Sequence, residues 1–334
     1  MRCDIIIPVW NNLRFTVDCV NSIREHTTYP FRLIMVDNAS NDETRKYLED
    51  IKGVQVLLIR NEENLGFVKA VNQGITASDG SYVCVLNNDT IVTDGWLEEM
   101  ITIAGLEKEI GIVNPSSNNL GQRPAPGESI TLYAERLKKE SGKFVELGAA
   151  IGFCMLIKRE ILARIGGLDE IYGMGNFEDT DFSRRAVKEG YKCVMACGAY
   201  VYHRENSSFN MVKTFNEDFN RNREIYEFRW GKPKRLAYVL DSYDDNILKR
   251  LEADSIKLAR GGSWVWYFLK DDLEVPRHSN IKVVELPEKY FYLKTIFRIL
   301  KKKKKFDEIF VGSERLFNVL ERMSFIHKAK ISYY

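Results

Sequence analysis

The sequence predicts an α/β protein in which helices cover both faces of a mainly parallel sheet, followed by a smaller α/β unit. Short continuous apolar runs, typical of strands buried on both faces, alternate with segments whose apolar residues have helical spacing. The alternation weakens after Asp89 and restarts after Lys232. We therefore expect a first domain at 1–231 and a second at 232–334.

The first part of the chain has the clearest patterns. Strands are predicted at 3–9, 31–37 and 54–60 and in the run "SYVCVL" at 81–86, with helices between them at 12–26, 41–51 and 66–77. Either Asn41 or Asp42 is the predicted N-cap of the second helix, because both side chains can accept a hydrogen bond from its first turn.

The remaining segments follow in a less regular order. Up to Gly231 they are a helix at 94–106, a strand at 109–115, a polar loop at 116–129, a strand running into a helix at 148–169, a helix at 177–190, a strand pair at 191–203 and a helix at 213–231. The second unit has predicted strands at 235–241, 263–270, 281–287 and 307–313, and helices at 244–262, 289–305 and 314–329.

Composition excludes several function classes. A formal net charge of +2 provides no overall basic field for nucleic acid. No run of about 18 apolar residues occurs, and Asp4 interrupts the N-terminal run, so neither a membrane span nor a signal peptide is predicted. The six cysteines lack paired CxxC spacing, which favours reduced, buried thiols in a cytoplasmic protein.

Polar side chains follow each of the first four predicted strands. Ligands of open parallel sheets bind beyond the carboxyl ends of the strands, so these residues are candidates for a binding site. They are Trp10 and Asn11, then Asp37, Asn38 and Ser40, then Asn61 and Asn64, and finally Asn87, Asn88 and Asp89. Neither GxGxxG nor GxxxxGK[ST] is present, so the sequence has no dinucleotide fingerprint and no P-loop.

This rim has the residue types that a nucleotide needs. Trp10 offers a flat face for a base, and Asp37 or Asn38 could accept the imide N–H of a uracil or thymine. Asp89 could hold a divalent cation that bridges a diphosphate, with His203 as a further ligand. Each residue alone is explained equally well by core packing, an Asx turn or a structural histidine. Their joint placement favours a site.

Eight motifs together resemble the family 2 glycosyltransferases of the GT-A fold, particularly rhamnosyltransferase-like members. They occur in the order "IIIPVWNN", "LIMVDNASNDET", "NEENLGFVKAVNQGI", "VCVLNNDT", "WLEEM", "GAAIGFCMLIKREI", "FEDTDFSRRAVKEGY" and "VYH". The resemblance covers about 3–231 and implies an inverting hexosyltransferase that uses a nucleotide-diphospho-sugar. The last hundred residues lie outside it.

The resemblance also implies roles for individual residues. The nucleotide and donor sugar would be bound by Pro8, Trp10, Asp37, Asn38, Asn64, Gly66, Lys69, Asn87 and Asn88. Asp89, in the place of the family's Asp-x-Asp motif, and His203 would hold Mn²⁺ or Mg²⁺. Asp179, in "FED", would be the catalytic base. Glu178 and Asp181 would position the acceptor or the helix.

Asn87 departs from the family pattern, in which many members have an aspartate. An amide is a weaker ligand than a carboxylate, so the metal would be held less tightly or largely through the diphosphate. The Asn-x-Asp form resembles rhamnosyltransferase-like members, which implies a dTDP-linked donor as readily as a UDP-linked one. The implied acceptor is a glycan or a lipid-linked glycan in surface polysaccharide synthesis. Two other classes stay open, a sugar nucleotidyltransferase and an inactive nucleotide- or glycan-binding module. The first usually has a Gly-rich loop where this chain has "PVWNN".

The segment 288–305 combines apolar helical spacing with five consecutive lysines. Such a helix can lie on an anionic membrane, which would make the protein peripheral at the inner membrane face. Alternatively, the helix packs on its own sheet and its lysines are solvated. The sequence leaves both interpretations open.

Overall fold

The computed structural model describes residues 1–51, 55–204, 215–270 and 273–334. The chain divides into two compact units, the first formed by Met1–Val145 and Ala149–Trp230 and the second by Glu146–Gly148 and Gly231–Tyr334. Residue 54, at the start of a predicted strand, and residues 213–214, at the start of a predicted helix, lie outside the described residues. No helix in the described ranges is long and apolar enough to cross a bilayer.

The strands preceding the second unit run from β1 to β9. They are β1 (Cys3–Val9), β2 (Phe31–Asp37), β3 (Val56–Arg60), β4 (Tyr82–Leu86), β5 (Thr90–Val92), β6 (Ile110–Ser116), β7 (Phe144–Glu146), β8 (Cys154–Lys158) and β9 (Lys192–His203). The helices are α1 (Leu13–His26), α2 (Thr44–Asp50), α3 (Phe67–Thr76), α4 (Trp96–Leu106), α5 (Ile130–Leu137), α6 (Arg159–Ile165), α7 (Glu178–Lys188) and α8 (Phe215–Trp230).

These strands form one mixed sheet with the order β3-β2-β1-β4-β8-β6-β9-β5, and β7 pairs with β9. Strands β1 to β4 are mutually parallel, whereas β8 runs antiparallel to both β4 and β6. Side chains on both faces of β1, such as Ile5, Ile6 and Ile7, are fully buried because helices cover both sides. The predicted α/β class with a mainly parallel sheet is confirmed, and the carboxyl ends of β1, β2 and β4 share one edge.

The predicted strand pair at 191–203 is wrong, because these residues form the single strand β9. Its parallel register with β6 is irregular, since Pro115 is opposite Ala196 but Ser116 is opposite Tyr200. A bulge of this kind bends a strand without a turn. Beyond it, β9 pairs antiparallel with β5, whose three residues were not predicted as a strand.

The second unit is a five-stranded, fully parallel sheet with the order β12-β11-β10-β13-β14. Its strands are β10 (Arg235–Val239), β11 (Trp264–Leu269), β12 (Ile281–Glu285), β13 (Glu308–Val311) and β14 (Lys330–Tyr333), and its helices are α9 (Asp245–Arg260), α10 (Phe291–Lys301), α11 (Glu314–Arg322) and α12 (Ser324–His327). Leu251 of α9 packs in one core cluster, and Phe291 of α10 packs in a second. Helix α10 therefore packs on its own sheet, as one of the two interpretations predicted.

Candidate active site

A cavity of about 780 Å³ in the first unit is lined by the residues that follow β1, β2 and β4. It brings together most of the site residues predicted from the sequence. Those on its wall are Pro8, Trp10, Asn38, Asn64, Asn87, Asn88, Asp89, Glu178, Asp179 and His203. Four further predicted residues, Asp37, Gly66, Lys69 and Asp181, are not among the lining residues.

Asp89 and His203 are adjacent in space although 114 residues separate them in the chain. Strand β5 begins directly after Asp89, and its antiparallel pairing with the end of β9 places Thr90 opposite His203. Asp89 Oδ1 consequently lies 3.0 Å from His203 Nε2. The pairing of β5 with β9 is thus the element that assembles this part of the site.

The His203 ring is held from several sides. Asn119 Nδ2 lies 2.6 Å from His203 Nδ1, and the ring stacks on Phe153 with centroids 5.3 Å apart. The Asn118 side chain pins the backbone of His203, because it accepts from the His203 N–H at 2.9 Å and donates to the carbonyl oxygen at 2.7 Å. These contacts aim Nε2 at Asp89.

The donor atoms around Asp89 fit a hard divalent cation. Asp89 supplies a carboxylate and His203 an imidazole nitrogen, both of which are ligands for Mn²⁺. Asn87 Oδ1 is buried and lacks a hydrogen-bond partner among the described residues, so it is an oxygen ready for a ligand. The described part of the chain has no cluster of three or more His, Cys, Asp or Glu side chains that could hold a metal ion. An ion here would need further ligands from a bound molecule.

Asp179 lies in the first turn of α7 and faces the same cavity. Its Oδ2 accepts from the Gly152 N–H at 2.9 Å, and its Oδ1 accepts from the Thr180 N–H at 2.6 Å. The neighbouring Phe153 carbonyl accepts from the Asn87 N–H at 2.8 Å, so one short loop connects Asp179 to the end of β4. Burial raises the pKa of Asp179, and the hydrogen bonds oppose this rise.

Glu178, beside Asp179, is only 6% exposed, and its Oε2 lacks a hydrogen-bond partner among the described residues. Burial, and secondarily the charge of Asp179, raises the pKa of Glu178 to about 8. A pKa of about 8 favours the protonated form of Glu178 at neutral pH, whereas the hydrogen bonds from Gly152 and Thr180 favour the charged form of Asp179. One carboxyl group can donate a hydrogen bond and its neighbour can accept a proton.

The loop before α7 has an uncommon backbone conformation. Asn176 and Phe177 both have φ of 72°, in the left-handed region that non-glycine residues rarely adopt. The fully buried Asn222 of α8 holds this loop, because its Nδ2 donates to the carbonyl oxygens of Tyr172 at 2.9 Å and Gly175 at 2.8 Å. Helix α8 thereby positions the start of α7 and its two carboxyl groups.

Asp181, one turn into α7, connects elements within the fold. Its carboxylate is fully buried and accepts from Arg185 at 2.9 Å and from Arg229 and Trp230 at 2.8 Å each. Tyr172 donates to the same group at 3.3 Å. These contacts tie α7 to α8, so the surroundings of Asp181 match the helix-positioning half of its predicted role.

Asp37, Gly66 and Lys69 occupy positions around the rim. Asp37 is buried, forms an ion pair with Arg60 and accepts from the Ser40 N–H at 2.9 Å, so it shapes the turn after β2. Gly66 has φ of 84°, and an added Cβ would lie 3.0 Å from a backbone oxygen. Lys69 is exposed on α3. Their predicted donor contacts stay predictions.

Trp10 and Asn38 are the rim residues best placed for a nucleoside. Trp10 is half-buried on the cavity wall, and Asn38 also lines the cavity. Asn38 Nδ2 donates to Asn64 Oδ1 at 2.7 Å, and Asn38 Oδ1 accepts from the Leu65 N–H at 3.0 Å. Asn38 thus orders the loop that carries Asn64.

Several lining residues were not predicted from the sequence. Asn118, Asn119 and Arg123 come from the polar loop after β6, and Asp218 and Phe219 come from α8. The rule that ligands bind beyond the carboxyl ends of parallel strands, applied also to β6, would have indicated the first three. Asp218 and Phe219 lie in a polar helix, and no comparable rule would have indicated from the sequence that they line the cavity.

Residues 4–166 match the model of a family described as Glycosyl transferase family 2. This part of the chain belongs to glycosyl transferase family 2. The matched range includes Asp89, whereas Asp179 and His203 lie beyond it. The resemblance inferred from the eight motifs is therefore confirmed.

Two curated relatives illustrate the range of similarity. The uncharacterized protein y4gI of Sinorhizobium fredii is 28% identical over 266 residues, which are 73% of this chain and 29% of that protein. The O-antigen chain rhamnosyltransferase RfbN of Salmonella typhimurium is 22% identical over 217 residues, covering 62% of this chain and 67% of that protein. This family 2 chain spans about a third of the length of several curated relatives that it matches.

Solved structures share the fold of this family 2 protein. The mannosyltransferase PcManGT from Pyrobaculum calidifontis, in complex with GDP-Man and Mn²⁺, aligns with a TM-score of 0.52 and 18% identity. The alignment covers 69% of this chain and 65% of that one. At this identity the likeness shows the fold alone, which is the predicted GT-A fold.

Proposed function

We propose that this protein transfers a sugar from a UDP- or dTDP-linked donor to a glycan or lipid-linked acceptor, with inversion at the anomeric carbon. The observation that carries the proposal is that Asp89, His203 and Asp179 line one cavity although they are distant in the chain. A single displacement needs a site for the leaving diphosphate and a base for the acceptor in the same cavity. The names of the mannosyltransferase and rhamnosyltransferase relatives support this reaction class.

The donor would lie along the rim formed by the ends of β1, β2 and β4. Trp10 would stack on the base and Asn38 would provide its polar partner. Asn64 and Asn88, which also line the cavity, would contact the sugar or the diphosphate. Pro8 would complete the wall beside Trp10.

A divalent cation, Mn²⁺ or Mg²⁺, would be held by Asp89 and His203, with Asn87 Oδ1 as a further oxygen. The cavity wall supports this assignment because the carboxyl groups of Asp89, Asp179 and Asp218 would otherwise face an anionic donor. When bound, the cation would offset the charge that develops on the departing diphosphate.

Asp179 would accept the proton of the acceptor hydroxyl as its oxygen attacks the anomeric carbon. The Gly152 and Thr180 N–H groups hold the carboxylate in a fixed orientation for this step. Protonated Glu178 would donate a hydrogen bond from Oε2 to the acceptor and so position it. In this proposal one residue is the base and its neighbour a donor.

The wider role that we propose is surface polysaccharide synthesis. A lipid-linked acceptor would bring the enzyme to the inner face of a membrane, and 288–305 is the segment that we expect to make this contact. The region 232–334 would act as an accessory domain. The family's rhamnosyltransferase member, whose name refers to the O-antigen chain, supports this role.

A panel of nucleotide-sugars, assayed with and without Mn²⁺ or Mg²⁺ and with glycan acceptors, tests the proposal. We expect release of nucleoside diphosphate from one UDP- or dTDP-sugar, loss of turnover with a chelator and recovery with added metal. Nucleotide-sugar synthesis from a sugar phosphate and a nucleoside triphosphate would instead assign a nucleotidyltransferase. Nucleotide binding without turnover on any donor would assign an inactive binding module.

A further inference from the structure

Helix α10 carries two separate apolar stripes. Phe291 and Ile299 are fully buried in the core of the second unit. Leu293 and Phe297 lie on another side of α10 and are 70% and 59% exposed, and Tyr290, which directly precedes the helix, is 47% exposed. One apolar stripe is sufficient for a helix that covers a sheet, so packing within the unit does not explain the second one.

The neighbouring helix α12 also carries exposed apolar side chains. Phe325 is 76% exposed and Ile326 is 38% exposed, and α12 contacts α10. We call the exposed apolar side chains of these two helices and of the turn before α10 the apolar patch, which consists of Tyr290, Leu293, Phe297, Phe325 and Ile326. Several exposed apolar side chains on adjoining helices mark an interaction site more often than a single exposed side chain does.

Lysines adjoin the apolar patch, since Lys289 and Lys294 lie over the Tyr290 ring at 5.5 and 5.7 Å and Lys301 lies over the Phe297 ring at 5.3 Å. The structure divides the five-lysine run into two groups. Lys302 lies over the Trp266 ring at 3.8 Å, and Lys305 donates to the Leu300 carbonyl at 2.7 Å, so both contribute to the fold. The exposed basic side chains on or next to α10 are Lys289, Lys294, Arg298, Lys301, Lys303 and Lys304. The helix sequence itself contains no acidic residue.

We propose that the apolar patch and the exposed basic side chains on or next to α10 form a docking surface for an anionic phospholipid membrane. Leu and aromatic side chains enter the boundary between headgroups and acyl chains, while lysines bind the lipid phosphates. A second copy of the chain is disfavoured as the occupant, because the basic side chains of the two copies would then face and repel each other. The inference rests on the membrane contact in the proposed function and deepens it by naming the side chains that make the contact, whereas it does not depend on the transfer reaction.

Vesicle co-sedimentation of the full chain tests this surface. Wild-type protein should bind vesicles of phosphatidylcholine mixed with phosphatidylglycerol, bind pure phosphatidylcholine much more weakly and dissociate at high salt. Replacing Lys301, Lys303 and Lys304 with Gln should lower the partition coefficient roughly 100-fold, since each lysine near such a surface contributes about 1 kcal/mol and each tenfold is about 1.4 kcal/mol. The double variant L293S/F297S should lose binding as well.

Matched control variants carry the same kinds of substitution at exposed positions of the first unit. L132S/F228S removes two side chains that are 61% and 94% exposed, and replacing Lys46, Lys139 and Lys188 with Gln removes three exposed charges. Both controls should bind vesicles like the wild type. Thermal unfolding reports whether each variant is folded. If a variant does not fold, the binding of wild-type protein to the two vesicle types still tests the proposal.

Three results would overturn the proposal. One is wild-type protein that binds neither vesicle type, or both types equally. Another is a control set that loses as much binding as the patch variants. The third is that the wild-type protein forms a dimer in sedimentation velocity and does not bind vesicles, while the L293S/F297S variant is monomeric. That result would assign the patch to a second copy of the chain. The assay needs no sugar donor, so a failure here is distinguishable from a failure of the proposed transfer reaction.

Discussion

At the scale of single residues, the chemistry of the site depends on two adjacent carboxyl groups in different environments. Asp179 accepts hydrogen bonds from Gly152 and Thr180, which favour its charged form, whereas Glu178 has a buried oxygen without a partner among the described residues. Pairs whose environments separate their pKa values commonly divide the roles of base and donor. The sequence motif alone does not distinguish the two acids.

The variant Asp179→Asn should retain nucleotide binding and lose at least about 100-fold in turnover, because an amide cannot accept the acceptor proton. Turnover of the donor identified in the nucleotide-sugar panel and calorimetry of nucleotide binding measure the two effects separately. Asp50→Asn, an exposed change at the end of α2, is the matched control and should behave like the wild type. Full turnover by Asp179→Asn would exclude Asp179 as the base.

The pH dependence should separate Glu178 from Asp179. Above about pH 8 Glu178 ionises and adds a further negative charge to a cavity that must admit a diphosphate, so kcat/KM of the wild type should fall there. Glu178→Gln should keep activity near neutral pH and lose this alkaline decrease. A pH profile of kcat/KM measures both. An unchanged alkaline limb in Glu178→Gln would contradict this role.

The same carboxyl group affects stability. Folding raises the pKa of Glu178 from its ordinary value of 4.5 to about 8, so its contribution to stability is complete below pH 4.5 and is lost as the pH rises to about 8. Glu178→Gln should therefore flatten the decrease in the free energy of unfolding over this range. Denaturant titrations at several pH values would measure it.

At the scale of elements, α8 holds the loop that presents α7. The side-chain amide of Asn222 donates to three backbone carbonyls of that loop, where Asn176 and Phe177 have left-handed conformations. Conformations of this kind persist only where the surroundings impose them. The orientation of Glu178 and Asp179 therefore depends on a helix that follows them in the chain.

Replacing Asn222 with Ala should lower the free energy of unfolding by about 2–3 kcal/mol, since the buried carbonyls of Tyr172 and Gly175 lose their hydrogen-bond donor. It should also lower kcat more than it changes nucleotide binding, because the loop before α7 is released. Asn220→Ala, an exposed change on the same helix, makes the same gain in helix propensity, so it should lower neither the free energy of unfolding nor kcat. Equal stability of the two variants would refute the role of Asn222.

At the scale of the whole molecule, the cysteines follow the distribution expected of a reduced protein. Five of the six are buried, and Cys197 is half-buried. Burial raises the pKa of Cys19 to about 12, and the thiolate is the reactive form. The five buried thiols should therefore be inert until the protein unfolds.

Titration with a thiol-reactive disulfide reagent should modify at most one cysteine of the folded protein promptly and all six after denaturation. Cys197→Ser should abolish the prompt reaction, whereas Cys3→Ser should leave it in place. Prompt modification of two or more cysteines in the folded wild type would show that a unit opens more readily than its packing suggests.

Local patterns were sufficient for the alternation of strands and helices and for the polar rim that includes Trp10, Asn38 and Asn87. Apolar periodicity depends on neighbouring residues, and the position of ligands at the carboxyl ends of parallel strands follows from the fold class. Only the tertiary structure decided that β9 continues through a bulge to pair with β5 and so brings His203 to Asp89. It also decided that Asp181 is enclosed by two arginines and a tryptophan, because that depends on contacts between residues far apart in the chain.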